Sequence, residues 1–205
     1  MIVSLTFDDG YGRHFEIAKV LYGLDVRASF YVITGLQKYC GKNTLIKEPK
    51  LLKEMHDMGH EIGSHTHTHR NLTLIDDGSV ECECRISADV LEEVLGERPM
   101  GLAYPYGAHD ERVIRIVSEY YRYARTMGEL NRWNEHLDSH RVGSMGIRHL
   151  IKYPLRALAG KNTKLVVLTF HDEPLRIIRL TVELLKDMGF RMMPLREALM
   201  NLGVI

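Results

Sequence analysis

Cysteine is scarce in this sequence, and the little there is does not pair off. Cys40, Cys82 and Cys84 are an odd number in 205 residues, and the Cys-x-Cys pair lies in a charged stretch without the ligand spacing of a structural zinc site. A disulfide scaffold and a zinc ribbon are both excluded, and reduced thiols are expected. An excess of one charge is missing too. Lysine plus arginine and aspartate plus glutamate number 27 each, so no overall field attracts nucleic acid or an anionic membrane, and neither is expected as a partner. There is no internal repeat, no low-complexity tract and no apolar run long enough for a membrane span. Met1 to Asp8 carries no basic region, apolar stretch or small-residue cleavage site, which leads to the expectation of a cytoplasmic protein. Oligomeric state leaves no mark in the sequence.

What is present is an ordinary globular composition, 45% hydrophobic and 26% charged, of a length suited to one domain spanning 1–205. Short β-branched or aromatic runs alternate with longer amphipathic ones, the pattern of βα units around a parallel sheet, so the class is α/β. Strands are expected at Ile2 to Phe7, Ala28 to Ile33, Glu61 to Ser64, Gly101 to Tyr104, Tyr123 to Arg125, Leu165 to Phe170 and Phe190 to Met193. Seven such strands suit a barrel. Helices are expected at His14 to Tyr22, Pro49 to Met58, Ser79 to Leu95, Glu111 to Tyr120, Arg148 to Leu158, Pro174 to Met188 and Pro194 to Asn201. Prolines at first turns and glycines after last turns support several of these boundaries. Met127 to Gly146 is the least regular segment and the candidate substrate-side loop.

Histidine is in local excess, 11 in all, with His65, His67 and His69 inside five positions. On a strand all three rings would share a face; on a helical turn only His65 and His69 would lie together. Two histidines and a carboxylate suit zinc while leaving positions open for water and substrate. The carboxylate is at hand where the first strand ends in Thr6-Phe7-Asp8-Asp9-Gly10, because the C-terminal strand ends of a parallel barrel form its active face. A glycine-permitted turn there can bring both aspartates into one cavity, one to bind metal and one to take a proton. Ala103-Tyr104-Pro105-Tyr106-Gly107 ends the fourth expected strand, and the Tyr106 backbone N–H is a candidate oxyanion donor. Leu168-Thr169-Phe170-His171-Asp172 ends the sixth and delivers His171 as a candidate general acid.

Together these motifs resemble the polysaccharide deacetylase family, the NodB-homology group of carbohydrate esterases, over nearly the whole chain. The resemblance implies a distorted parallel (β/α) barrel, NodB-type, probed by a carbohydrate or amino-sugar substrate. Thr6 to Gly10 is similar to the family's first motif, which implies Asp8 as catalytic base and Asp9 as metal ligand. His65-Thr66-His67-Thr68-His69 resembles the second, whose outer histidines, His65 and His69, complete the protein ligands. One divalent metal ion is implied, zinc before cobalt, nickel or manganese. His171 takes the place of the general acid, and Leu168 with Phe170 would wall a pocket for the acyl methyl group.

Two departures stand out. Ala103 occupies a place where many members have an arginine that orients the catalytic aspartate, and the family's Asp-Trp motif is absent. Trp133 is a candidate substrate-facing aromatic, and Asp138 and Arg141 are candidates for tuning the site. The expected activity is removal of an N-acetyl group from an amino sugar or saccharide. The alternatives are a deformylase, a ureide-type amide hydrolase on the same fold, or a non-catalytic metal- or carbohydrate-binding homologue.

Overall fold

The computed structural model describes residues 1–128, 136–147 and 163–205. The helix expected at 148–158, Trp133 and part of the irregular segment 127–146 lie outside the described residues. In chain order the elements are β1 (Ile2–Phe7), α1 (His14–Gly23), β2 (Ser29–Val32), β3 (Lys38–Tyr39), β4 (Lys42–Asn43), α2 (Pro49–Asp57), β5 (Glu61–Ser64), α3 (Asp77–Leu95), β6 (Gly101–Ala103) and α4 (Glu111–Val117). There follow β7 (Tyr123–Arg125), β8 (Met145–Gly146), β9 (Leu165–Phe170), α5 (Leu175–Asp187), β10 (Arg191–Met192) and α6 (Leu195–Asn201).

All six residues of β1 are buried, as a strand covered on both faces of a parallel sheet requires. It pairs with β9 along its full length, from Ile2↔Leu165 to Phe7↔Phe170, with β2 at its C-terminal end and with β10 at its start. The sheet runs β7-β6-β5-β2-β1-β9-β8, and its pairings are parallel. A parallel bridge between Arg125 and Val142, just ahead of β8, joins the two ends of that path and curls it into a distorted barrel. The count of seven strands therefore holds for the path, but its membership changes. β8 takes the seventh place, and the strand expected at Phe190 to Met193 shrinks to β10, a side partner of β1. Met145–Gly146 has no β-branched residue and only two positions, too little to read as a strand from sequence.

Alternation sorts the strand residues into two layers. Leu5, Phe7, Phe30, Leu168 and Phe170 face outward against Ile17 and Leu21 of α1 and Ile178 and Val182 of α5. Phe7 stacks on Phe30 and Phe170 at ring separations of 4.8 and 5.1 Å. Leu168 and Phe170 thus build this outer core and do not wall the pocket as expected. The inner cluster holds Tyr31, Ala103, Tyr123, Val142 and Val167. Glycine makes room for its two tyrosines: a Cβ on Gly63 would stand 2.7 Å from the Tyr31 ring, and one on Gly101 2.1 Å from that of Tyr123. Leu195, Ala198 and Leu199 of α6 join the same cluster. The α6 N-terminus is tied to the starts of β2 and β5, where Leu195 N–H donates to Ser29 Oγ (2.8 Å) and Arg196 N–H to Glu61 Oε2 (3.1 Å). Among the described residues no helix is long and apolar enough to cross a membrane.

Candidate active site

The first carboxylate pair is shaped by the turn after β1. Asp8 continues the ladder by donating its N–H to the Phe170 carbonyl (2.9 Å). Asp9 and Gly10 then adopt φ of 72° and 64°. These consecutive left-handed residues reverse the alternation of the strand, so both carboxylates line one pocket. Gly10 is needed there twice over, since a Cβ would also meet Val32 Cγ1 at 3.0 Å.

The histidine segment after β5 is neither strand nor helix. Thr66 and His69 are left-handed, with φ of 64° and 59°, a costly conformation for a β-branched residue such as Thr66. The loop is held from within and from α3. His69 N–H donates to Thr66 Oγ1 (3.1 Å), and Glu83 accepts from both the N–H (2.7 Å) and the hydroxyl of Thr68. The result is the grouping a helical turn would have given. His65 and His69 converge, while His67 turns away to Thr34 Oγ1 (3.1 Å).

Each converging ring is oriented through Nδ1. His65 Nδ1–H donates to the Ala103 carbonyl (2.8 Å), and His69 Nδ1 bonds the Tyr39 hydroxyl (2.9 Å). The two Nε2 atoms are left 3.6 and 3.5 Å from Asp9 Oδ1. Tetrahedral ligands about 2.0–2.1 Å from a zinc ion stand roughly 3.3–3.4 Å apart; both edges to Asp9 come close to that, and the three donor atoms all lie within 4.8 Å of one another, a set that can close on a divalent cation. Protonation fits as well. Burial holds His65 down to about 4, and burial with the neighbouring His65 holds His69 down to about 4, which keeps both rings in the neutral form that binds metal. Burial and the charge of Asp8 push Asp9 up, a strain that a cation would relieve.

Asp8 has a different partner. Arg125, at the end of β7, places Nη2 2.6 Å from both Asp8 oxygens and Nη1 3.0 Å from Ser144 Oγ, with both charged side chains almost wholly buried. Burial alone would raise the Asp8 carboxyl; Arg125, followed by His65 and His171, holds it below the usual carboxylate range. The register of β6 and β7 pairs Ala103 directly with Arg125. The guanidinium absent from Ala103 therefore stands one strand over, at its sheet neighbour. Sequence reasoning missed Arg125, although a charge closing an otherwise apolar strand was a signal. It also missed Glu83 and Tyr39, which orient the histidine loop.

His171 stands across the pocket with Nε2 3.8 Å from Asp8 Oδ2 and its side chain 46% exposed. Tyr106 lies on the turn after β6 at φ 61°, its ring edge-on to His69 at 4.8 Å. These groups surround a cavity of about 240 Å³, to which Met127 also contributes. Asp138 and Arg141 do not reach it. They pair with each other at 2.9 Å, and Arg141 also binds Glu111. Of the described non-glycine residues with positive φ, Asp9, Cys40, Thr66, His69 and Tyr106 belong to the pocket or its histidine loop, and only Asp25 lies elsewhere. Strain of that kind gathers at functional sites.

Fold and pocket define a class: a parallel (β/α) barrel whose C-terminal strand ends bring a buried, arginine-bound aspartate to a carboxylate-dihistidine cluster. Within that class the chain belongs to the polysaccharide deacetylase family, whose model matches residues 1–124. A gellan lyase from a Bacillus species is 32% identical over 180 residues, covering 82% of this chain and 6% of that protein. A peptidoglycan-N-acetylglucosamine deacetylase of Bacillus cereus is 29% identical over 119 residues, covering 57% of this chain and 40% of that protein. The chain thus spans less than half the length of either relative. A solved structure of a T48 deacetylase with substrate superposes with a TM-score of 0.72 at 25% identity, covering 98% of this chain and 91% of that one. The family match ends before Arg125 and His171, whose place in the pocket rests on geometry.

Proposed function

We propose that the protein is a metal-dependent hydrolase that removes an N-acetyl group from an amino sugar or N-acetylated saccharide and releases acetate. The observation that carries this reading is the meeting of an ionised, arginine-held Asp8 with the Asp9, His65 and His69 donor set in one pocket. A divalent cation held by those three residues, zinc for preference, would supply Lewis-acid polarisation of the amide carbonyl and make water acidic enough to attack it. The chain's own residues do the rest. Asp8 accepts the proton of the attacking water, and Arg125 keeps that carboxylate aimed and ionised. The Tyr106 N–H donates to the carbonyl oxygen as it gains charge. His171, on the open side of the cavity, gives a proton to the departing amine and can be recharged from solvent. Asp8 must be ionised while His171 is protonated, so the rate is bell-shaped in pH.

The test is acetate release from N-acetylglucosamine oligomers, measured after chelation and again after zinc or cobalt is returned. Release that disappears with chelation and returns with metal is expected. Formate from N-formyl substrates with no acetate would replace the acyl group in this reading. Protein that binds one equivalent of metal yet releases neither acid would overturn it.

A further inference from the structure

His14 is a buried imidazole outside the donor set, on the first turn of α1 and packed among Phe7, Tyr11 and Phe30 at ring separations of 5.7 to 5.8 Å. In such a place an apolar side chain would cause no loss of hydrogen bonding. The imidazole instead leaves Nδ1 without a hydrogen-bond partner among the described residues, an unfavourable arrangement for a fully buried nitrogen. What it gains is a single bond: Nε2 lies 2.5 Å from the backbone carbonyl of His171. A carbonyl only accepts, so Nε2 carries the proton, and burial, which holds His14 down to about 4, keeps the ring in that neutral tautomer.

The bond is one of several on the same short segment. His171 N–H donates to Glu173 Oε2 (2.7 Å), while Asp172 receives Arg13 at 3.2 Å and Lys42 from the β3–β4 hairpin. Arg13 and His14 are consecutive, so the start of α1 grips both the side chain of Asp172 and the main chain of His171. The His171 side chain itself has no direct hydrogen-bond partner among the described residues and is 46% exposed. Its placement 3.8 Å from Asp8 therefore depends on where its backbone is held.

We infer that His14 is a positioning residue for the reaction, which fixes the His171 main chain so that its imidazole meets the leaving amine. The inference rests on the amide-hydrolase reading above. His14 touches no substrate, and its effect passes through His171 alone.

The experiment is a double-mutant cycle on acetate release by the zinc-loaded full chain, with His14→Phe, His171→Ala and the pair, and His14→Gln as the conservative variant. Phenylalanine fits an aromatic-lined site but cannot donate; glutamine can. His14→Phe is expected to lower kcat at least tenfold with KM within twofold, His14→Gln to recover most of it, and the double variant to be no slower than His171→Ala. Multiplying losses in the double variant, a loss confined to KM, or full activity in His14→Phe would each overturn the inference while leaving the deacetylase reading intact. A wild-type protein that releases no acid would take down both.

Discussion

Arg125 sets the state of Asp8, the base of the proposed reaction. One guanidinium nitrogen, Nη2, reaches both oxygens of a carboxylate that burial pushes up, so Arg125 acts on both the aim and the ionisation of that group. Replacing it with methionine keeps the volume and removes the charge. Arg125→Met is expected to shift the acidic limb of the kcat/KM profile to higher pH, because the Asp8 carboxyl rises when its counter-charge goes. At the optimum the rate should fall by about 10²–10⁴, the usual worth of general base catalysis, with bound metal unchanged. A profile that keeps its acidic limb would mean that Asp8 is not the base. At this scale the meeting of Asp8, Asp9, His65 and His69 in one pocket was legible in the sequence, because adjacency and short spacing carry their pattern. Arg125 was not, because its relation to Asp8 spans 117 residues and depends on β6 and β7 lying in register at Ala103.

The β3–β4 hairpin shows what a small element contributes. Two residues pair on each side of a Cys40-Gly41 turn, both left-handed at φ 46° and 77°, as a two-residue hairpin turn demands. Through that turn Tyr39 reaches His69 Nδ1, and Lys42 reaches Asp172. Partners of this kind orient a ligating histidine and set its basicity. Tyr39→Phe should weaken zinc binding by about 10–100-fold with the thermal midpoint of chelated protein unmoved, as read by titration against a competing chelator. Equal zinc affinity would show the bond to be incidental. Neither this hairpin nor β8 was legible, since two-residue strands carry no periodicity. The long elements were: β1, β5, β7 and β9 fall where alternation and apolar runs place them, and α2 begins at Pro49 as expected. The segment from His65 to His69 escaped because left-handed threonine and histidine go against local preference, and tertiary bonds from Glu83 impose them.

Among the described residues four buried histidines, His14, His60, His65 and His69, are each held down to about 4 by burial. Unfolded histidines bind protons near 6.5, so between about pH 6.5 and 4 the unfolded chain takes up more protons and chelated protein loses stability as pH falls. Glu61 and Asp9, both pushed up by burial, act the other way above their ordinary carboxylate range, where the folded chain holds the extra protons. His60 is the informative position. It lies outside the pocket, bonded to Ala28 N–H (3.2 Å) and the Ala18 carbonyl (3.0 Å). His60→Gln should flatten the fall of the urea midpoint, removing up to roughly 1.4 kcal/mol per pH unit. An unchanged slope would show that His60 titrates normally. The α/β class was legible from alternation and the barrel from the strand count and the family resemblance, whereas closure through Val142 was not. The pairing of β1 with β9 also has a temporal side. The two strands are 163 residues apart in register, so at roughly 5–20 residues per second a ribosome needs on the order of ten to thirty seconds to supply the partner. Until it emerges, Ile2–Phe7 offers an open edge of apolar backbone to any neighbouring nascent chain. The interval between the making of the two strands is thus when this segment is most open to mispairing with another chain.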